Sequence, residues 1–146
     1  MILLGLVILV GAVLATVAIT ADSTREETVA DVEVGECFTG GPNDVTTVAC
    51  DEPHQFELFA VAPAADPAAA FPGADKARED GGNACLVALV EYYGATADVA
   101  VANGVQLTPI SPTEAQWNDG DTDTYCLAMQ AEGNALDASI KGQGAG

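Results

Sequence analysis

The stretch Met1 to Thr20, MILLGLVILVGAVLATVAIT, carries no charged side chain. At 1.5 Å of rise per residue, about 20 apolar residues in a helix match a hydrocarbon core about 30 Å thick. From Asp22 the composition turns acidic at once, with Glu26 and Glu27 beside a lone Arg25. The pattern predicts a membrane-spanning helix over 1–21, in the bilayer through residues 2–20, that carries an acidic domain. A cleavable signal peptide is the competing reading, with cleavage points after Ala18 or Ala21. Signal peptides begin with basic residues and have an apolar stretch of only about 7–15 residues. No Lys or Arg precedes Arg25, so a retained anchor is expected. Both readings export the remainder of the chain. The expectation is a single-pass cell-membrane protein with its C-terminal domain extracytoplasmic.

The 22 acidic residues face four Lys and Arg, for a net charge of −18. Such a surface repels phosphate backbones and excludes nucleic acid as a partner. Without span and linker, about 100–125 residues remain, enough for one compact domain.

That domain holds Cys37, Cys50, Cys85 and Cys126. An even count in a small exported domain reads as a disulfide framework, because a modest core gains from restricting the unfolded chain. Four cysteines allow three connectivities. The favoured one joins Cys37 to Cys50 around the turn residues Gly40-Gly41-Pro42-Asn43-Asp44, and Cys85 to Cys126 between a helix and a late strand. Cys37, Cys50 and His54 are the competing metal ligands. They lack the paired close spacings of structural zinc, so no metal and no cofactor are expected.

Hydropathy divides the chain further. Residues 22–31 read as an unstructured linker, 32–131 as the domain and 132–146 as a flexible tail. Val32-Glu33-Val34, Cys37-Phe38, Val45 to Ala49, and Phe56, Leu58 and Ala60 alternate as half-buried strands do. Pro63, Pro67 and Pro72 forbid a helix over 62–73. A helix is predicted over 83–94, with Asn83 as N-cap and Gly94 as its left-handed end. Its core face is Cys85, Leu86, Leu89, Val90 and Tyr93, and Gly81-Gly82 separates it from a helical turn at 75–80. Part of Val99 to Leu107 and Tyr125 to Met129 read as strands, with loops at Pro109, Pro112 and 118–121. Trp117 is expected to plug the core beside them. The predicted class is α+β, with antiparallel strands packed on one or two helices.

No catalytic residue emerges. Ser23, Ser111 and Ser139 stand in no nucleophile elbow, and His54 is the only histidine. Asp119, Asp121 and Asp123 begin like a calcium loop, but Thr124 replaces the required Gly and Gln130 the bidentate Glu. His54 is expected to close a local hydrogen-bond network; the alternative is a partner contact or a protonation switch. Gly11, Ala15 and Ala18 share one face of the predicted span, where small residues allow a neighbouring helix to approach.

Val34-Gly35-Glu36-Cys37-Phe38-Thr39, followed by Val48, Cys50, Pro53, His54, Glu57, Phe59, Ala60 and Val61, resembles the opening of the septum formation family. The likeness continues through Phe71-Pro72-Gly73, Cys85, Tyr92 and Tyr93 to Pro109, Pro112, Trp117, Gly120, Asp121 and Cys126, over about 32–130. Members of that family are actinobacterial membrane-anchored or lipid-anchored envelope domains. The resemblance implies a non-enzymatic module. The Gly81-Gly82 interruption departs from the family's helix. The expected function is therefore an accessory or scaffolding subunit. Its helix and exported domain would associate with a larger membrane or envelope complex, either a respiratory supercomplex or the division machinery. The alternatives are a free secreted or wall-associated binding protein and a small hydrolase.

Overall fold

Alternating apolar residues and five short runs of extended backbone build one antiparallel sheet in a computed structural model that describes residues 27–145. The strands are β1 (Cys37–Gly41), β2 (Asp44–Val48), β3 (Phe56–Ala62), β4 (Val105–Ile110) and β5 (Thr124–Gln130), in spatial order β2-β1-β3-β5-β4. The helices are α1 (Ala74–Tyr93), α2 (Ala97–Ala102) and α3 (Glu114–Asn118). The expected anchor over 1–21, with Gly11, Ala15 and Ala18, lies outside the described residues. Among those described, no helix is long and apolar enough to cross a membrane.

Period-two alternation gives the sheet two apolar faces. Phe59, Cys126, Ala128 and Val105 face α1, where Cys85, Leu89 and Tyr93 complete one core. Phe38, Leu58, Val45 and Leu127 face the other way, against Val29 and Val32. The cysteines pair as Cys37–Cys50, beside the β1–β2 hairpin, and Cys85–Cys126, from α1 to β5. Gly94 ends α1 at φ 86°, ψ 13°, a left-handed conformation that only a residue without Cβ adopts at little cost.

Several expectations are corrected. Helix α1 begins at Ala74 with Gly73 as its N-cap and runs through Gly81-Gly82. A Cβ on Gly81 would collide with the buried Thr124 side chain, so this glycine lets α1 lie close on β5. Close packing thereby offsets the roughly 1 kcal/mol that glycine costs a helix relative to alanine. Within α1, Leu86 and Val90 are exposed, and only Cys85, Leu89 and Tyr93 of the expected face are buried. Residues 99–102 belong to α2, whose Ala100 is buried, and the strand starts only at Val105. Val32-Glu33-Val34 is not a strand. Within the expected linker, Val29 is buried in the second core, Glu27 bridges to Val45, and Val29–Asp31 forms a 3₁₀ turn.

The tail is the largest departure. Leu136 and Ile140 are buried in the first core, and Leu136 exchanges two backbone hydrogen bonds with His54, at 3.0 and 2.8 Å. Burying each such side chain is worth about 1.5–3 kcal/mol, which outweighs the Gly- and Ala-rich flexibility around them.

Candidate functional site

Two features remain after the core is accounted for: a cleft beside the N-terminal half of α1 and a buried polar cluster near its C-terminal end. The cleft is shaped by the Pro/Ala connector that leaves β3 and folds back over the N-terminal half of α1. Its volume is about 300 Å³, and Pro63, Pro72, Ala77, Ala84, Pro112 and Trp117 are among its apolar lining. Trp117 projects from α3, which is started by a reciprocal cap between Thr113 and Gln116. Its indole Nε1 donates to Ala69 O at 2.8 Å, and its ring meets Phe71 edge-on at 5.8 Å. Trp117 is therefore half-buried and braces the connector; it does not plug the core as expected. An indole gains from burying its rings while its N–H keeps a partner, and this site supplies both.

The cleft's polar groups are Asp66, Asp80, Thr122 and Thr124. Asp121 and Asp123 flank Thr122 in the turn after α3. The nearby cations are already engaged: Lys76 binds Asp80, and Arg78 binds Asp75. The Asp80 hydrogen bond holds the Lys76 ammonium above its ordinary pKa. A carboxylate excess thus surrounds an apolar slot, which suits an apolar group with a cationic neighbour.

The polar cluster centres on Glu57, which is fully buried on β3. Tyr92 and Ser139 hydroxyls donate to its Oε1 at 2.7 and 2.6 Å, and the Ile140 N–H donates to Oε2 at 2.7 Å. A buried carboxylate is tolerable only with such donors. Burial, then the hydrogen bond to Glu57, pushes the Tyr92 pKa well above the ordinary tyrosine value. Lys141 lies over the Tyr92 ring at 5.8 Å.

His54 sits beside this cluster, 1% exposed, and its Nδ1–H donates to Glu52 O at 2.7 Å. Its Nε2 is buried and meets no hydrogen-bond partner among the described residues. Cys37 pairs directly opposite Glu57 across the β1–β3 ladder. The ligand atoms of Cys37, His54 and Glu57 all lie within 4.8 Å of one another, although Cys37 is held in its disulfide.

The structure thus brings Cys37, Cys50 and His54 together and places Trp117 elsewhere, at the cleft. Glu57, Tyr92 and Ser139 join the site without having been expected in it. The signal in the sequence was a lone carboxylate inside the apolar run Phe56-Glu57-Leu58-Phe59. Asp119, Asp121 and Asp123, which fail as a calcium loop in sequence, lie in the turn around Gly120, whose φ is 93°.

A family model described as septum formation matches residues 23–145. No curated protein and no solved structure matches the chain.

Proposed function

The chain belongs to the septum formation family, and from that premise we propose that it is a non-catalytic accessory subunit whose domain docks onto a larger membrane or envelope complex. Family membership ties it to cell division or the envelope. The finer reading is that residues 1–21 anchor it in the cell membrane, with the acidic domain extracytoplasmic. The host is the division machinery or a respiratory supercomplex.

The cleft beside Trp117 carries this reading. Its walls are alanine, proline and indole, and its polar groups are carboxylates and hydroxyls. An apolar side chain of the host, next to a Lys or Arg, fits that lining. Burial of one large side chain supplies about 1.5–3 kcal/mol, and the acidic rim orients the encounter. The helix face Gly11, Ala15 and Ala18 would add contact within the bilayer.

Native electrophoresis after mild detergent extraction tests both parts. The parent should co-migrate with a larger complex, and Trp117→Ala should weaken that association while the domain keeps its fold. Changing Gly11 and Ala15 to Leu should leave insertion intact and reduce co-migration. A parent that migrates alone, or is recovered free of the membrane, identifies a secreted binding protein instead.

A further inference from the structure

We propose that the Cys37–Cys50 disulfide covers a latent zinc site: once a dithiol reductant opens it, both thiolates, His54 Nε2 and Glu57 Oε2 bind one Zn²⁺. Three ligand positions are built before any metal arrives. Cys37 Sγ, a His54 ring nitrogen and a Glu57 oxygen lie within 4.8 Å of one another, and all three residues are buried. Tetrahedral zinc with bonds of about 2.0–2.3 Å needs its ligand atoms about 3.3–3.8 Å apart, a contraction of at most about 1–1.5 Å from that limit. Cys50 Sγ is already beside the site, bonded to Cys37 Sγ.

The histidine is prepared as a ligand. A metal-binding imidazole characteristically donates its other N–H to a carbonyl or carboxylate, which sets the tautomer and the ring orientation. Here the Nδ1–H donates to Glu52 O at 2.7 Å, leaving Nε2 with a bare lone pair. That lone pair is buried and unpartnered among the described residues. The His54 main chain is held by its two bonds to Leu136, and the ring by its bond to Glu52 O.

The carboxylate is prepared in the same way. Tyr92 and Ser139 hold Oε1, and among the described residues Oε2 accepts only from Ile140 N–H. A carboxylate oxygen has two lone-pair directions, so Oε2 retains one. These donors form the outer shell that orients a metal-bound carboxylate. Two thiolates, an imidazole and a carboxylate select Zn²⁺ over Mg²⁺ or Ca²⁺ by softness and coordination number.

The chemistry balances. A dithiol gives two electrons and two protons to Cys37–Cys50 and becomes a disulfide itself. Zn²⁺ then displaces the two new thiol protons to solvent. In the oxidised protein the sulfurs carry no charge, and His54 with Glu57 alone is too small a set. The site therefore exists only in the reduced state, where it replaces one cross-link with another.

The test uses the full chain in mild detergent, with Co²⁺ and Zn²⁺ as probes. Reduced anaerobically with a phosphine, the parent should bind one Co²⁺ with a thiolate charge-transfer band, and Zn²⁺ should displace it. Zinc should protect Cys37 and Cys50 from alkylation, leaving Cys85 and Cys126 reactive. His54→Ala should weaken Zn²⁺ binding by more than about a hundredfold, since losing an outer-shell partner alone costs about 10–100-fold. Cys50→Ser frees Cys37 with the other disulfide intact, and should bind Co²⁺ without any reductant. If reduction unfolds the parent, Zn²⁺ should restore its circular dichroism. The proposal is overturned by a reduced parent that neither binds one metal nor refolds with zinc. Binding indifferent to His54→Ala, or protection falling on Cys85 and Cys126, overturns it equally.

Discussion

The Ile140 N–H donates to Glu57 Oε2 at 2.7 Å, joining positions 83 residues apart. The bond couples a buried charge to the chain's last segment. Glu57 needs donors because it is taken out of water. Part of that need is met by Ser139 and Ile140, whose segment buries Leu136 and Ile140 in return. Neither partner makes sense in the core without the other.

Glu57→Gln should therefore destabilise the domain by about 3 kcal/mol, because hydrogen bonds to a charged group are worth about 1.5–3 kcal/mol each. Deleting 134–146 should cost more, since it also uncovers the Leu136 and Ile140 sites. Urea denaturation of both variants measures this. An unchanged midpoint for the deletion would show that the segment is not part of the core.

The paired glycines of α1 should respond in opposite directions. Gly81→Ala should cost about 1–3 kcal/mol, because its methyl group meets Thr124 and Ser111 side chains. At Gly82 the nearest atom to a Cβ is Pro109 Cγ at 3.9 Å, an ordinary contact. Gly82→Ala should thus stabilise the helix by about 0.5–1 kcal/mol. Thermal melts of the two variants separate these outcomes.

The two disulfides should contribute unequally. Their sequence separations are 13 for Cys37–Cys50 and 41 for Cys85–Cys126. Loop-closure entropy gives about 3 and about 4 kcal/mol respectively. Replacing Cys85 and Cys126 together by Ala should therefore lower stability by about 1 kcal/mol more than replacing Cys37 and Cys50. Denaturation of both double variants checks the order, and non-reducing peptide mapping of the parent checks the pairing.

Alkaline pH should destabilise the domain through Tyr92. Its hydroxyl holds its proton in the folded chain at pH values where an unfolded tyrosine, near 10.0, has lost it. The native state then binds more protons than the unfolded one, so this stabilisation is complete below about pH 10 and falls as pH rises further. Tyr92→Phe should flatten that alkaline decline while lowering the neutral plateau by about 1–3 kcal/mol, the cost of a donor lost to Glu57. Tyr125, raised first by burial and then by Asp121, Asp123 and Asp31, should retain part of the slope. Denaturant midpoints measured from pH 8 to beyond pH 11 read both effects.

Local rules made much of the framework legible. Alternation located β1, β2 and β3 to within a few residues, the run Tyr125 to Met129 marked β5, turn chemistry located the β1–β2 hairpin, and Gly94 marked the end of α1. Cysteine count and order led to the observed pairing. The apolar opening and acidic remainder set the expectation of an exported domain, although that segment lies outside the described residues. Each of these inferences needs only a residue and its near neighbours in the chain.

Tertiary structure decided the rest, because the deciding contacts join distant positions. Gly81-Gly82 reads as a break until Thr124, from β5, occupies the space that a methyl group would take. Val99 to Ala102 has strand composition, yet Ala100 is buried and the segment is helical. The segment 132–146 has the composition of a mobile tail, yet Glu57 and the first core hold its Leu136, Ser139 and Ile140. Trp117 reads as a core residue, but a proline-shaped connector lies against it and leaves a cleft. A short-range pattern records what a segment prefers alone. Where that preference is worth less than a few kcal/mol, one buried carboxylate or one close helix contact outweighs it, and neither is visible until the chain has folded.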